Sequence, residues 1–556
     1  MKERELIKKE EGVTDKLFNL RPVFFAAIFL CLGISFSYFY ILYGVSKWWL
    51  LLLVPTAITP FIFVRTKERA IKTLICALAF FLFFFTGGAA FRAQLKKYAD
   101  STLLDGEYTV VGKVIDLTQT SYGVSLTLSE VIVDGKGRDG KLIAYLSTSF
   151  KGDCALSDEV VLVGAVTLSN EYFDEYGFKA NAIGENIKFY MQAEDCIVTG
   201  SRFDPFLLLR SRVESVLVHG MDETPASVML ALLTGNTTNI EEGLFENIRR
   251  GGIAHVFAVS GLHVGALYAF CLFLTSKTKM KRLSKFTKFF FVAILLFLYG
   301  GVCGYSTSVV RAMVMCLAFY AAKLIGVGKD MHESIGLAGI VVLFISPVAL
   351  FEIGFQLSFG ACLGIALLAR PFKTACNAVC SFLGGVFTTK ESGKSLKEIG
   401  EEKPLSVLGR IKGRVISFLS VTLSAQTATA PILLNAFGYL SGWSLLLNCL
   451  FVPLVSAIFS TLLLFAVVAS LLPIVCAKVI LYVPSVCFSA VMLLFEAIDF
   501  SRFVIEGIFI PLGGILVYFA GLTFISDKWN ISRKEKRILL FLCILAFLLT
   551  TYLANA

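Results

Sequence analysis

Two histidines, a serine and four glycines lie together at residues 251–265, GGIAHVFAVSGLHVG, where an apolar run begins that continues to Leu274. Polar side chains are costly in a bilayer, so these are functional candidates. Ser260 and His263 are three residues apart and could meet on one helix face as nucleophile and base, although no acidic residue nearby could orient the histidine. His255 precedes His263 by just over two helical turns. Interhelical hydrogen bonding and the lining of an aqueous path are the other roles open to these residues, and we favour the path.

Polar residues also interrupt the later apolar runs, and a set of such residues indicates a cavity more strongly than any one of them. The candidates are Arg311 in GYSTSVVRA, Gln356 in EIGFQLSF, Gln426 in SAQTATAP and Asn448 before CLFVP. Arg311 and Glu352 could form an ion pair, which would lower the cost of burying both. Pro431 and Pro453 predict broken helices of the kind that line cavities.

The composition predicts a polytopic α-helical membrane protein. Of 556 residues, 56% are hydrophobic and the mean hydropathy is +0.76, which excludes a soluble protein of this size. The apolar blocks predict about 11 to 13 spans. The thirteen candidates are 22–44, 48–64, 71–91, 253–275, 287–303, 306–326, 333–351, 355–370, 414–434, 444–472, 474–495, 505–526 and 538–554. The first block has no A-x-A-like cleavage site, so we interpret it as a retained span.

Lysine and arginine placement predicts the orientation of these spans. With the N-terminus in the cytoplasm, the basic residues concentrate in the cytoplasmic loops, as the positive-inside rule requires. Those loops are 1–21, 65–70, 276–286, 327–332, 371–413 and 527–537. The net charge of +10 is then mostly a matter of topology and is not interpreted as a nucleic-acid footprint.

A polar region at 93–203 is predicted to be an extracytoplasmic β-rich domain. Its short β-prone runs are separated by Gly/Asp turns, which favours a small OB-like barrel. The predicted strands are Tyr108–Ile115, Val124–Leu128, Leu142–Leu146, Val160–Leu168 and Ile187–Met191. The region carries ten Lys/Arg and sixteen Asp/Glu, the wrong balance for a basic groove that grips nucleic acid. Cys154 and Cys196 are its only cysteines and form a candidate disulfide, with two separate buried thiols as the alternative.

Residues 204–250 are predicted to form two or three amphipathic helices on the outer surface, leading into the polar stretch at 251. Arg249 and Arg250 stand just before that stretch. They either anchor the chain at the membrane interface or attract phosphates to an entrance.

Four segments resemble, in order and spacing, the ComEC family of competence proteins. They are GIAHVFAVSGLHVG at 252–265, YSTSVVRA at 305–312, GFQLSF at 354–359 and QTATAPILLNAFGYLSGWSLLLNCLFVP at 426–453. The resemblance implies a channel that imports one DNA strand into the cytoplasm during natural transformation, with an OB-like domain at 93–203. By position it implies that the pore or pore-supporting residues are His255, Ser260, His263, Arg311, Gln356 and Asn448; Gln426 is added from its place inside an apolar run.

Many members of that family continue with a metallo-β-lactamase-like nuclease domain, and we expect none here. The histidines are His219, His255, His263 and His332, so the H-x-H-x-D-H metal motif is absent. A complete P-loop is absent too, because Thr388 stands where the first glycine is needed before Gly393-Lys394-Ser395. We therefore expect no enzyme activity, metal or cofactor. The expected partners are single-stranded DNA, the bilayer, an outer DNA receptor, a cytoplasmic ATPase or strand-binding protein, and a separate nuclease.

The predicted organisation has five parts: an N-terminal membrane region at 1–92, the β domain at 93–203, interfacial helices at 204–250, the channel domain at 251–526, and a tail with the last span at 527–556. The chain is predicted to lie in the plasma membrane. A secondary transporter of a small or lipidic solute, and an intramembrane serine hydrolase, are the alternative functions.

Overall fold

A computed structural model describes most of the chain, and every structural statement below concerns the described residues. These are 21–44, 67–100, 105–120, 123–147, 154–169, 171–174, 177–234, 240–253, 261–277, 279–305, 307–325, 330–387, 407–451, 474–498, 503–526 and 532–555, with positions 454, 466 and 500.

The described helices account for most of the membrane region. They are α1 (Pro22–Tyr43), α2 (Lys67–Ala99), α3 (Ala180–Glu185), α4 (Pro205–Gly220), α5 (Glu223–Thr234), α6 (Glu242–Arg250), α7 (Gly261–Lys277), α8 (Lys285–Val302), α9 (Thr307–Ile325), α10 (Met331–Ile345), α11 (Ile353–Phe387), α12 (Val407–Phe437), α13 (Ile474–Ala497), α14 (Leu512–Ile525) and α15 (Arg533–Asn555). Residues 444–451 are also helical. A 3-10 helix, Pro347–Phe351, joins α10 to α11.

Six of the described helical segments are long and apolar enough to cross a bilayer. They are Pro22–Tyr43, Cys76–Ala99, Lys285–Val302, Ile353–Ser381, Gly413–Phe437 and Lys534–Asn555. Shorter apolar helices lie at Glu223–Leu233, Ser308–Ala322, Met331–Ile345 and Leu512–Ile525. Together these segments make the chain a multi-pass membrane protein. The predicted span 48–64 and most of 444–472 lie outside the described residues.

Five strands close into a barrel between α2 and α4. They are β1 (Gly106–Thr120), β2 (Gly123–Val133), β3 (Lys141–Ser147), β4 (Asp158–Leu168) and β5 (Ile187–Ser201). The order around the barrel is β1-β2-β3-β5-β4, and β4 pairs with β1 to close it. The β3–β5 pair is parallel and the others are antiparallel. All five predicted strands are present, because alternate apolar side chains such as Leu142, Ala144 and Leu146 share one core.

The barrel is fixed to the end of α2, which continues to Ala99 and so extends past the predicted domain boundary at 93. Tyr98 donates a hydrogen bond to the carbonyl oxygen of Ser169 at 2.7 Å. The ammonium of Lys188 in β5 donates to the carbonyl oxygen of Lys97 at 2.7 Å. A cation at the C-terminal end of a helix also complements the helix dipole, so this contact holds the barrel against the membrane helix.

Two predicted spans include a segment that is not α-helical. In 333–351 the α-helix ends at Ile345, because Pro347 has no N–H with which to continue it, and the 3-10 helix follows. In 505–526 the first residues form a strand, β7 (Val504–Glu506), which pairs with β6 (Tyr439–Ser441), and α14 starts only after Pro511.

The prediction that Pro431 breaks a helix is wrong, because α12 runs through it from Val407 to Phe437. Neighbouring helices and local adjustments can satisfy the carbonyl that a proline leaves free in a membrane helix. Pro453 lies outside the described residues. The predicted helices at 204–250 are present as α4, α5 and α6, and their place on the outer surface stays a prediction. In α5, Val228, Ala231 and Leu232 are fully buried, so the later turns of this helix pack inside the protein.

Candidate polar site in the membrane region

Arg311 on α9 is a buried cation with incomplete hydrogen bonding. The residue is 1% exposed. Its Nη2 donates to the hydroxyl of Ser308 at 3.1 Å, and its guanidinium carbon lies 5.1 Å from the ring centroid of Phe359 on α11. Its Nη1 is buried and finds no hydrogen-bond partner among the described residues. Because a buried charged donor left without an acceptor is costly, the arrangement suits an anion that would complete it.

His263 lies on a helix that packs against α9, the helix that carries Arg311. It is fully buried on α7. A Cβ added at Gly261 would lie 3.3 Å from the Cβ of Ala312, so the start of α7 packs closely against α9 beside Arg311. The glycine permits this approach, as small residues do in membrane helix pairs. The structure therefore packs the helix of His263 against the helix of Arg311, and a shared site for the two side chains stays a prediction.

The predicted ion pair between Arg311 and Glu352 is wrong. Arg311 and Glu352 form no direct salt bridge among the described residues, although the charge of Glu352 acts on the guanidinium over a longer distance; Arg311 contacts Ser308 and Phe359. Glu352 stands between the 3-10 helix and α11, and its carboxylate lies against the barrel, 2.5 Å from the position that a Cβ at Gly184 would occupy. The sequence pattern could not reveal this separation, because it depends on where the barrel docks.

Gln356 and Gln426 lie on the neighbouring helices α11 and α12. Gln356 donates to the carbonyl oxygen of Leu350 at 3.2 Å, which joins the first turn of α11 to the 3-10 helix. Gln426 flanks a close crossing of the two helices, where a Cβ at Gly364 would lie 2.5 Å from the carbonyl oxygen of Ser424. The amide nitrogen of Gln426 is buried and has no partner among the described residues.

Arg249 and Arg250 end α6 and share one carboxylate. Glu246 accepts from Arg249 at 3.2 Å and from Arg250 at 3.0 Å, and both arginine side chains are close to half exposed. Tyr439 of β6 donates to the carbonyl oxygen of Arg249 at 3.2 Å, which ties this helix end to the 439–441 strand. The pair therefore places two half-exposed arginine side chains at the end of α6.

Asn448 lies close to that helix end. It is buried, and its Oδ1 has no hydrogen-bond partner among the described residues. The neighbouring Leu447 approaches within 3.0 Å of the position of a Cβ on Gly251. The φ of Gly252 is +74°, a left-handed conformation that favours glycine at this turn. The structure thus places Asn448 next to the segment that carries the two arginines.

Two of the sequence candidates, His255 and Ser260, lie outside the described residues. Two residues of the site, Phe359 and Ser308, were missed from the sequence, as was Gln94 of α2, which hydrogen-bonds to the segment between α10 and α11. Phe359 and Ser308 stand inside the quoted segments GFQLSF and YSTSVVRA, so their closeness to the polar candidates was the available signal. Gln94 is a lone amide near the end of an apolar helix and carried no such signal.

The thiols of Cys154 and Cys196 lie within hydrogen-bonding distance in the barrel. The Cys196 contact, together with burial, raises the pKa of Cys154, while the same contact lowers the pKa of Cys196. Both residues are thiols in this structure. The closeness of the pair is compatible with the candidate disulfide, which stays a prediction.

A charged cluster that the sequence did not reveal joins the start of α1 to the start of α10. Arg21 is buried and its Nε lies 2.6 Å from a carboxylate oxygen of Asp330. Asp330 also caps α10 by accepting from the backbone N–H of His332 at 2.8 Å. Burial acts to raise the pKa of Asp330, but the hydrogen bonds from His332 and Arg21 hold it well below its usual range. This cluster fixes the two helix ends together.

The described residues contain no group of three or more His, Cys, Asp or Glu side chains that could hold a metal ion. The candidates for the polar site are one buried arginine beside an aromatic ring, a histidine on the adjoining helix, two amide side chains on further helices and, at the end of α6, a pair of arginines near Asn448.

Comparison with known proteins identifies the family. The family model described as "Competence protein" matches residues 232–530, which include the whole polar site. The chain is 27% identical over 249 residues to ComE operon protein 3 of Bacillus subtilis (strain 168), a match that covers 44% of this chain and 27% of that protein. No solved structure matches. The buried arginine and the helices that hold it thus lie in a chain that belongs to the ComEC family of competence proteins.

Proposed function

We propose that this chain conducts one DNA strand across the membrane during natural transformation, and that Arg311 is the cation that meets its phosphates. The carrying observation is a guanidinium that is 1% exposed and keeps a buried donor without a partner among the described residues. Phosphate oxygens are strong acceptors for arginine. The ring of Phe359 beside it holds the guanidinium by a cation–π contact. Membership of a competence family supports the assignment of DNA as the substrate.

The proposed path starts at Arg249 and Arg250 and continues past Asn448 to the α7–α9 interface. Because Glu246 partly neutralises the two arginines, a phosphate would bind there weakly enough to move on. The proposal assigns pore-lining or pore-supporting roles to His255, Ser260, His263, Gln356 and Gln426. Their alternative role is hydrogen bonding between helices.

The barrel is proposed to be an OB-like domain outside the cytoplasm, with the N-terminus of the chain inside. The closed order β1-β2-β3-β5-β4 with a parallel β3–β5 pair supports the OB-like assignment. Residues 93–203 contain sixteen acidic and ten basic side chains. This acidic balance argues against tight binding of DNA over the whole surface of the domain. A local contact that passes the strand on, or a role in assembly, fits this charge better.

The proposed channel is not an enzyme and depends on partners for energy. The expected partners are an outer DNA receptor, a cytoplasmic ATPase or strand-binding protein that pulls the strand in, and a separate nuclease for the discarded strand. These partners are proposed from the similarity to competence proteins.

The test is the internalisation of labelled DNA by cells whose chromosomal gene is deleted and then complemented. Deletion is expected to abolish internalisation and to leave surface-bound DNA in place. Arg311→Ala should reproduce the deletion at a normal level of protein in the membrane, whereas Arg282→Ala, which changes an exposed arginine, should not. Normal internalisation in the Arg311 variant would contradict the proposal. A solute defect without a transformation defect would favour the transporter, and covalent labelling of Ser260 by a serine-directed probe would favour the hydrolase.

A further inference from the structure

Gln94, near the end of α2, uses both ends of its amide to hold the segment that joins α10 to α11. Its nitrogen donates to the hydroxyl of Ser346 at 3.1 Å, and its oxygen accepts from the backbone N–H of Val348 at 3.0 Å. Pro347 stands between these two partners and has no N–H of its own. One side chain therefore sets the orientation of the 3-10 helix Pro347–Phe351 relative to α2.

The barrel region packs against the same 3-10 helix, Pro347–Phe351, which we call the barrel's seat. Phe351 stacks on Tyr38 of α1 at 4.2 Å between ring centroids and meets Phe178 of the barrel region edge to face at 5.6 Å. Glu352, which follows it, lies against Gly184 of α3. Because these contacts come from three parts of the chain, any rotation of the 3-10 helix would change how the barrel sits.

The 3-10 helix also leads directly to Arg311. Gln356 in the first turn of α11 donates back to the carbonyl oxygen of Leu350 at 3.2 Å. Phe355 and Phe359 stack with their centroids 4.2 Å apart, and Phe359 lies beneath the guanidinium.

One hydrophobic cluster surrounds this connection. It includes Ile183 of the barrel region, Val348 and Phe355, with Phe359 and Val310 packed against it. Val310 is the residue next to Arg311, so closely packed side chains run without a gap from the barrel's seat to the arginine. Such packing transmits a shift at one end to the other.

We propose that Gln94 is a positioning residue that holds Phe359 under Arg311 by fixing the 3-10 helix, so that the barrel's seat and the arginine centre move as one body. The effect of this positioning on transport, which is the alignment of Arg311 with the DNA strand, rests on the proposed function. The position of Phe359 under Arg311 does not depend on DNA and can be measured in its absence.

The first experiment observes the Phe359 ring itself. A 4-fluorophenylalanine at position 359 of the full chain in lipid nanodiscs reports by ¹⁹F NMR whether a cation covers the ring, and Arg311→Met supplies the reference for an uncovered ring. Gln94→Leu, which loses both hydrogen bonds, should move the resonance toward that reference. Gln94→Glu should keep the wild-type resonance, because its carboxylate accepts from Val348 and from the Ser346 hydroxyl. Lys96→Gln, an exposed change on the same helix, is the matched control.

A Gln94→Leu resonance that coincides with the wild type would overturn the proposal. If Gln94→Leu does not yield folded protein, Ser346→Ala removes only one of the two hydrogen bonds and should give a smaller shift in the same direction; no shift in that folded variant would equally overturn it.

The second experiment measures DNA uptake per molecule of membrane protein at several DNA concentrations. Gln94→Leu should lower the maximal rate by about tenfold, the order expected of a misplaced functional group, and leave the half-saturating DNA concentration unchanged. Gln94→Glu should keep the maximal rate of the wild type. A shifted resonance with normal uptake would contradict the role of Arg311 in transport but keep the positioning. Loss of uptake in both variants with an unshifted resonance would contradict the positioning alone.

Discussion

Two buried cations in this protein, Lys188 and Arg311, are each 1% exposed but differ in their partners. Lys188 in the barrel donates to the carbonyl oxygen of Lys97 at 2.7 Å, and its ammonium lies 3.5 Å from the carboxylate of Asp139. Arg311 in the membrane region has a serine hydroxyl and an aromatic ring, and one buried donor without a partner among the described residues. The first cation completes a structure, whereas the second has capacity for a ligand. Burial alone therefore does not distinguish a structural charge from a functional one. The number of N–H donors of the charged group that have a hydrogen-bond partner makes the distinction.

The largest expected effect separates function from stability at Arg311. Arg311→Met should lower DNA uptake by about a hundredfold, in line with the ~2–5 kcal/mol that a buried charged contact is worth to binding. The same change should leave the thermal stability of the purified protein equal or higher, because it removes a poorly compensated buried charge. Uptake and thermal melting in nanodiscs check the two parts. A variant that takes up DNA normally, or that melts far below the wild type, would contradict the contrast with Lys188.

The candidate disulfide would make the barrel, which contains Lys188, more stable to unfolding. If Cys154 and Cys196 are joined in the exported protein, reduction should lower the barrel's free energy of unfolding by about 2–4 kcal/mol. Intact-mass measurement with and without reductant, followed by pulse proteolysis of the full chain, tests this. The double variant Cys154→Ser/Cys196→Ser should be insensitive to reductant. A wild-type protein whose two thiols both react with an alkylating reagent before reduction would refute the pairing.

Lys188→Met should show the opposite pattern to Arg311→Met. The variant leaves the carbonyl oxygen of Lys97 without its charged donor, so the barrel's free energy of unfolding should fall by about 2 kcal/mol. DNA uptake should follow the amount of folded protein and show no separate defect. Pulse proteolysis of the full chain measures the stability, and Lys136→Met, at an exposed position in a two-residue strand, serves as the control. Unchanged stability in the Lys188 variant would mean that its hydrogen bonds do not hold the barrel to α2.

The smallest predicted effect is a pH dependence where the barrel meets α4. The hydrogen bond from Lys113, 2.9 Å away, is the main cause that holds the pKa of Asp204 below its usual value. A lowered carboxyl pKa stabilises the folded protein above the unfolded pKa of about 3.9 and loses this contribution as the pH falls through the folded value. Stability should therefore drop by about 1 kcal/mol more between pH 5 and pH 3 than in Asp204→Asn.

Glu194→Gln, a change at an exposed barrel position, is the control for that titration and should keep the wild-type slope. An Asp204→Asn protein that loses stability with acid as steeply as the wild type would show that Lys113 and Asp204 do not support the contact.

The barrel could be predicted from the sequence because period-two alternation is a local property. The spacing of Leu142, Ala144 and Leu146 predicts a strand whatever strands lie beside it. Helix ends were harder to predict where tertiary contacts override local signals, as at Pro431, which lies inside α12.

The site could be predicted only in part. Arg311 and His263 stood out as polar residues in apolar runs, and the structure brings their helices together. Their environment depends on pairing between distant segments. The ring of Phe359 fills the place that the sequence suggested for Glu352, and Gln94 acts on residues about 250 positions away. No local pattern encodes such contacts.

The central claim is that the Arg311 centre is a wet conduit that a DNA strand occupies. The most direct measurement is the rate at which a charged thiol reagent modifies Ser308→Cys, with and without DNA whose trailing end carries a bulky block that arrests it during uptake. The account predicts that the cysteine reacts in the absence of DNA and is protected at least severalfold by the arrested strand. A cysteine that never reacts, or that reacts at the same rate in both conditions, would contradict it.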